Sequence, residues 1–161
     1  MLTFDASSIV CAWDNYPADM FPPLWAWLAR EVQAQRMQIS YVAAEEVGHV
    51  SPECGRWMAA VGMRTLPVSN PVSVEANRIK GLLGVAGDAY HPNGVDENDL
   101  LIIASARTQG CGLVSNESVQ LNLPLAMPRY KIPVVCGLDS VGVRCMSFID
   151  YRKSSGQVFG A

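Results

Sequence analysis

The sequence has only 2 histidines in 161 residues, a scarcity that argues against a zinc centre. Its five cysteines (Cys11, Cys54, Cys111, Cys136 and Cys145) are odd in number, scattered, and include no C-x-x-C pair. That spacing excludes a disulfide frame and reads as reduced thiols packed as small apolar residues. A basic excess is missing too: 12 Lys and Arg against 15 Asp and Glu leave a net charge of −3. Bulk electrostatics therefore offers no route to nucleic acid, and any such binding needs local patches or metal ions. No apolar run approaches a membrane span, and the opening MLTFDASS lacks the charged start and apolar stretch of a signal peptide. The expectation is a cytoplasmic protein with no membrane association. No repeat, low-complexity tract or linker divides the chain, which reads as one domain over residues 1–150 with a frayed tail at 151–161.

What is present is an alternation of short apolar runs with helical periodicity. LTF, MQIS, MRTLPV, GLVS and VRCMSFI read as five strands. Between them lie helices: one capped by Ser7 or Ser8, one over LWAWLAREVQAQ, one over YVAAEEVGHV closing near Gly48, and one within 53–62. SNPVSVEANRIKGLLG carries Asn70 as an N-cap and Pro71 at the first helical position. A further helix runs from Asp99 to about Gln109 and stops at Gly110, and IPVVCGLDSVG forms the last. Strands alternating with helices predict an α/β protein with a mostly parallel sheet covered on both faces. Trp13, Trp25, Trp27 and Trp57 are read as packing residues.

In such folds, function gathers beyond the carboxyl ends of the strands, where strand order reverses. Asp5 ends the first strand, and Ser115, Asn116 and Glu117 end the fourth. Asp99 heads the helix leading into the fourth strand, and Glu45 or Glu46 lies on the helix after the second. Carboxylates brought together repel one another and lose hydration, so an empty cluster takes up protons or destabilises the fold. A hard divalent cation removes both penalties, and Mg²⁺ or Mn²⁺ suits oxygen donors. Each residue also has a plainer role open to it. Asp5 and Asp99 suit helix caps, Glu46 a solvated surface, Ser7 a cap, and Asp96 and Glu97 the acidic start of a helix.

FDASS, ISYVAAEEV, NDLLIIASA and LVSNES, in that order and spacing, resemble the PIN-domain family of VapC-type RNA-cutting toxins, and KIPVVCGLDSVGVRCMSFID resembles the close of a little-assigned bacterial PIN-like subfamily. The resemblance spans roughly residues 2 to 150. It implies a three-layer α/β/α fold with a central, mostly parallel five-stranded sheet. It also implies that Asp5, Glu46 (over Glu45), Asp99 and Glu117 hold Mg²⁺ or Mn²⁺, with Ser7, Ser115 and Asn116 supporting them. The activity implied is metal-assisted hydrolysis of RNA phosphodiesters by the toxin half of a toxin–antitoxin pair. Its partners would be an antitoxin protein and a second copy of the chain. The fourth acidic position departs from the pattern, holding Glu117 beside Asn116 where Asp or Asn is usual, which leaves a nuclease-dead scaffold binding RNA or protein as the alternative. A receiver-like signalling domain would need a lysine at the end of its last strand, and VRCMSFID has none.

Overall fold

The computed structural model describes residues 1–159. Five parallel strands, β1 (Leu2–Phe4), β2 (Met37–Ser40), β3 (Arg64–Leu66), β4 (Gly112–Val114) and β5 (Cys145–Met146), form one sheet in the order β3-β2-β1-β4-β5. The chain first steps outward from β1 through β2 to β3. Its connections there are α1 (Ala6–Asn15), α2 (Pro22–Gln33), α3 (Tyr41–Val50) and α4 (Pro52–Val61). It then crosses to β4 and β5 through α5 (Asn70–Leu82), α6 (Glu97–Thr108) and α7 (Ile132–Cys136), and α8 (Phe148–Ser154) follows. Right-handed crossovers in opposite directions place the two sets of helices on opposite faces. The result is the expected three-layer fold, with its strand order reversing between β1 and β4.

Burial follows from this layering. All four residues of β2 are buried, as expected for a strand covered on both faces. α6 is buried at Leu100 and at every residue from Ile102 to Ala106, because it lies against β1, β2 and β4 on one side and α5 and α7 on the other. A helix apolar nearly all round is stable only in such a slot. Two polar residues inside the sheet, Thr3 and Gln38, bond to each other at 3.2 Å and to the Cys111 thiol at 3.2 and 3.5 Å. Trp13, Trp25 and Trp57 pack edge to face, with Trp25 lying 4.9 Å from Trp13 and 4.7 Å from Trp57.

Several boundaries differ from the sequence reading. α1 is capped by Asp5 rather than Ser7 or Ser8, and α5 begins after Ser69, with Asn70 already helical. α6 starts two residues before Asp99. The helix expected over IPVVCGLDSVG ends at Cys136, and β5 keeps only two paired residues. The greatest difference lies at the carboxyl end. Residues expected to fray from 151 form most of α8, whose cap Ser147 accepts from the Asp150 amide at 3.1 Å. Tyr151 is buried there, 5.1 Å from Phe4 and stacked at 5.3 Å on Trp27. Among the described residues no helix is long and apolar enough to cross a membrane.

Candidate active site

β1 and β4 are neighbours at the point where strand order reverses, and the chain leaving each contributes to one polar network. The Asp5 amide donates to Val114 O at 2.9 Å, which holds the end of β1 against the end of β4. The Asp5 carboxyl is buried, and its Oδ2 accepts from Ser7 Oγ at 2.5 Å and Ser115 Oγ at 2.9 Å. Both hydroxyls are themselves tied to the chain after β4. The Asn116 amide donates to Ser7 Oγ at 2.9 Å, and the Glu117 amide to Ser115 Oγ at 3.3 Å. Linked bonds of this kind lock a carboxylate rotamer. No amide of the first turn of α1 is capped by the Asp5 side chain. Burial pushes the Asp5 carboxyl above its ordinary range, opposed by the Ser7 and Ser115 hydroxyls, which favour its charged form.

The other acidic residues arrive from elements whose N-termini face the same edge of the sheet. Asp96 caps α6 by accepting from the Asp99 amide at 2.9 Å, while Asp99 Oδ2 accepts from the Asp96 amide at 2.9 Å. This reciprocal capping box makes Asp99 the third helical residue rather than the cap. Burial, together with the charges of Asp96, Glu117 and Asp5, pushes the Asp99 carboxyl up to about 8, against the lowering effect of its bond to the Asp96 amide. Glu46, on α3, is raised by partial burial and then by Asp5, Asp96 and Glu117. Its neighbour Glu45 is likewise exposed, and its backbone carbonyl lies 2.8 Å from the His49 ring nitrogen. The charges of Asp5, Asp96 and Glu117 thus act on both Glu46 and Asp99, and Asp96 joins the group although the sequence reading left it at the helix start.

Asn116 and Glu117 have structural work as well. Asn116 Oδ1 accepts from the Phe148 amide at 2.8 Å and Glu117 Oε2 from the Ile132 amide at 2.9 Å, so each holds the first residue of a following helix. A second tie joins this loop to the entry of α6. The Val95 amide donates to Tyr130 O at 2.9 Å. Gly94 lies so close that an added Cβ would overlap the Pro128 carbonyl and stand 3.0 Å from Arg129 Cα. Behind the site, the Cys136 and Cys145 thiols interact with each other and sense Asp5 and Glu117. All five cysteines are free.

The donor set fits a hard divalent ion: the coupled groups are all carboxyl oxygens, and at least one is held too basic to stay charged alone at neutral pH. Among the described residues, no three His, Cys, Asp or Glu side chains are gathered tightly enough to enclose a metal by themselves. An ion that keeps several of its waters, some of them bridging to the carboxylates, suits such an open arrangement.

The five-stranded parallel sheet with helices on both faces is the PIN-like fold. The chain resembles DNA-bound VapBC from Salmonella typhimurium (TM-score 0.55, 17% identity, covering 91% of this chain and 97% of that one). A toxin–antitoxin complex from Klebsiella pneumoniae aligns with a TM-score of 0.50 and 16% identity, covering 77% of this chain and 93% of that one. FitAB bound to an IR36 DNA fragment aligns with a TM-score of 0.50 and 13% identity, over 92% and 95% of the two chains. The chain belongs to the family described as Domain of unknown function (DUF4411), matched over residues 2–159. No curated protein matches it.

Proposed function

We propose that the protein is a Mg²⁺- or Mn²⁺-dependent endoribonuclease, acting in the cytoplasm as the toxin half of a toxin–antitoxin pair and restrained by an antitoxin protein. The observation that carries this reading is Asp5, buried at the β1–β4 reversal, pinned by two hydroxyls and sharing its field with Glu46, Asp99 and Glu117. Such a cluster has a destabilising electrostatic cost that a bound cation removes.

Asp5, Glu46, Asp99 and Glu117 would hold the ion. When bound, it would supply an activated water and charge stabilisation at the attacked phosphorus. The chain's own residues prepare for this. Ser7 and Ser115 fix the Asp5 rotamer, and Asn116 and Glu117 hold those hydroxyls through their amides. Asp99, whose carboxyl is raised by burial and by its acidic neighbours, would have to be deprotonated to serve as a ligand. The same edge would be the one an antitoxin must cover.

One observation favours a competing reading, a PIN-like scaffold that binds RNA or protein without cutting: the acidic side chains are not gathered into a closed metal cage. Labelled RNA incubated with the protein in Mg²⁺, Mn²⁺ or a chelator separates the two. The nuclease reading expects cleavage only with a divalent ion and loses it in Asp5→Asn, whose fold persists because side-chain volume is kept. Wild-type cleavage by purified Asp5→Asn would remove Asp5 from the chemistry, and binding without cleavage under all conditions would select the scaffold.

A further inference from the structure

Tyr41 stands where no packing role explains it. Among the described residues only two aromatic side chains are exposed, Phe21 and Tyr41. Phe21 packs edge-on to Tyr16 at 5.4 Å, whereas the Tyr41 ring, 49% exposed, pairs with no other ring among the described residues. Its backbone is held firmly all the same. Ser40 caps α3 by accepting from the Ala43 amide at 3.3 Å, so Tyr41 is the first helical residue after β2. The strand register sets Phe4 beside Ile39, and Tyr41 therefore leaves the sheet on the edge where Asp5 leaves β1.

The ring lines an open cleft of about 410 Å³ together with Val42, Glu45, Glu46 and His49 of α3 and Asn98 of α6. That volume lies within the range of small-molecule sites, roughly 300–1,000 Å³. Tyr41, Glu45 and His49 are spaced four residues apart, which makes them one line of side chains along α3. Val42 and Glu46 form the adjoining line, and Asn98 directly precedes Asp99. Among the described residues, the one side-chain hydrogen bond at this cleft joins His49 Nδ1 to the Glu45 carbonyl at 2.8 Å. The polar tips of Tyr41, Asn98 and both glutamates have no partner of their own within the chain.

We infer that this cleft seats one unpaired nucleobase of the RNA, stacked on Tyr41 beside the phosphate to be cut, so that the substrate class is single-stranded RNA. The inference deepens the nuclease reading and rests on it for the position of that phosphate. Charge selects the occupant. Two carboxylates and no lysine or arginine line the cleft, so a phosphate is repelled there while a neutral base is not. Glu46 belongs both to the cleft and to the acidic group, so a phosphate held by the group leaves its adjoining base at the cleft. A base inside a duplex has both faces covered by its neighbours, whereas an unpaired base has a face to give the ring. Stacking tolerates every base, so Tyr41 selects strandedness rather than sequence.

Fluorescence anisotropy of the full chain tests this, with a labelled single strand of about ten nucleotides, within the usual span of such sites, and with its duplex. Titrations in Ca²⁺ and in chelator, on RNA shown intact by gel, read binding without turnover. The wild type should prefer the single strand. Tyr41→Ala should lose roughly 5- to 150-fold on that strand, the worth of one base stacked on an aromatic ring, and little on the duplex. Tyr41→Phe keeps the ring and should stay within a few-fold, and both variants should melt with the parent because the side chain lies outside the core. An abasic site moved along the strand gives a readout that misfolding does not mimic. At one position it should cost the wild type as much as Tyr41→Ala does, and cost Tyr41→Ala little more. Where RNA is cut in Mg²⁺, Tyr41→Ala should raise KM by the same factor and leave kcat within a few-fold. Equal binding by wild type and Tyr41→Ala, equal losses on single strand and duplex, or an abasic series with no such position would each overturn the inference. So would Tyr41-dependent binding of an arginine-rich peptide but not of RNA. RNA left whole in Mg²⁺ and Mn²⁺, with Tyr41-dependent binding intact, would instead remove the nuclease reading and keep the base site.

Discussion

Asp99→Asn separates the electrostatic role of this residue from its role at the helix start. Asparagine keeps an oxygen to accept from the Asp96 amide, so the capping box survives and little helix stability is lost. What disappears is an ionisation that the folded protein resists. A carboxyl moved from 3.8 to about 8 resists it by roughly 5–6 kcal/mol at alkaline pH, at about 1.4 kcal/mol per pH unit. The sign follows from proton uptake. Between about pH 4 and 8 the folded chain holds this proton and the unfolded chain does not, so stability falls as pH rises through that window. Below it the residue contributes no penalty, and above it the penalty is complete. Solvent reaching the partly buried group screens the effect, leaving about 2–3 kcal/mol between pH 5 and 9. Urea melts in a chelator at pH 5, 7 and 9 should therefore show Asp99→Asn slightly more stable than its parent at pH 5, with the gap widening by that amount by pH 9. Adding Mg²⁺ should restore the parent more than the variant, because the variant has lost a charged ligand. Parallel stability curves for the two proteins across this pH range, with equal Mg²⁺ responses, would refute the reasoning and leave Asp99 a helix-start residue only.

Three further outcomes are expected. Glu46→Gln should lower RNA cleavage by two orders of magnitude or more, whereas Glu45→Gln should stay within a few-fold, as measured by initial rates at saturating Mg²⁺. Gly94→Ala should force the entry of α6 away from the Pro128 carbonyl, costing about 1–3 kcal/mol in denaturant melts and weakening divalent-ion binding by calorimetry. Tyr151→Ala should remove the ring packed on Phe4 and Trp27 and cost about 3 kcal/mol, lowering the melting temperature by roughly 6–12 °C. An unchanged melting temperature would return α8 to the status of a loose tail.

The parts of this fold that could be read from the chain are those fixed by burial. MQIS and NDLLIIASA are apolar because they occupy the centre of the sandwich, and their element types followed directly. Their edges did not. Asp96 and Asp99 stand at the spacing of a capping box, but with Asp in place of the usual Glu or Gln at the third position, so the helix seemed to begin two residues late. VRCMSFI looked like a full strand because apolar run length cannot distinguish a long strand from a two-residue edge strand followed by a helix. The signal for that helix was Ser147 with Asp150 three residues on. Within the site, Asp5 and Ser115 were legible because strand ends must converge at a reversal of strand order. Glu46 against Glu45 was not, since the choice turns on how α3 is rotated over α6, a matter of tertiary packing. The role of Asn116 and Glu117 in holding α7 and α8 was hidden for the same reason.

The bond from Ser115 to Asp5 spans 110 residues of sequence, and this distance has a consequence for the order of synthesis. Asp5 leaves the ribosome early, on a strand that must become the centre of the sheet, yet its second hydroxyl partner follows only after a further 110 residues. At ordinary elongation rates that delay is roughly 5–20 s. Until β4 arrives the first strand has only β2 to pair with on one side and nothing on the other, and the buried carboxyl lacks half of its support. A nascent chain halted before β4 therefore carries Asp5, Glu46 and Asp99 without the element that aligns them. The cluster assembles only when the last third of the polypeptide closes over it, so the order of translation itself delays any activity until the molecule is nearly complete.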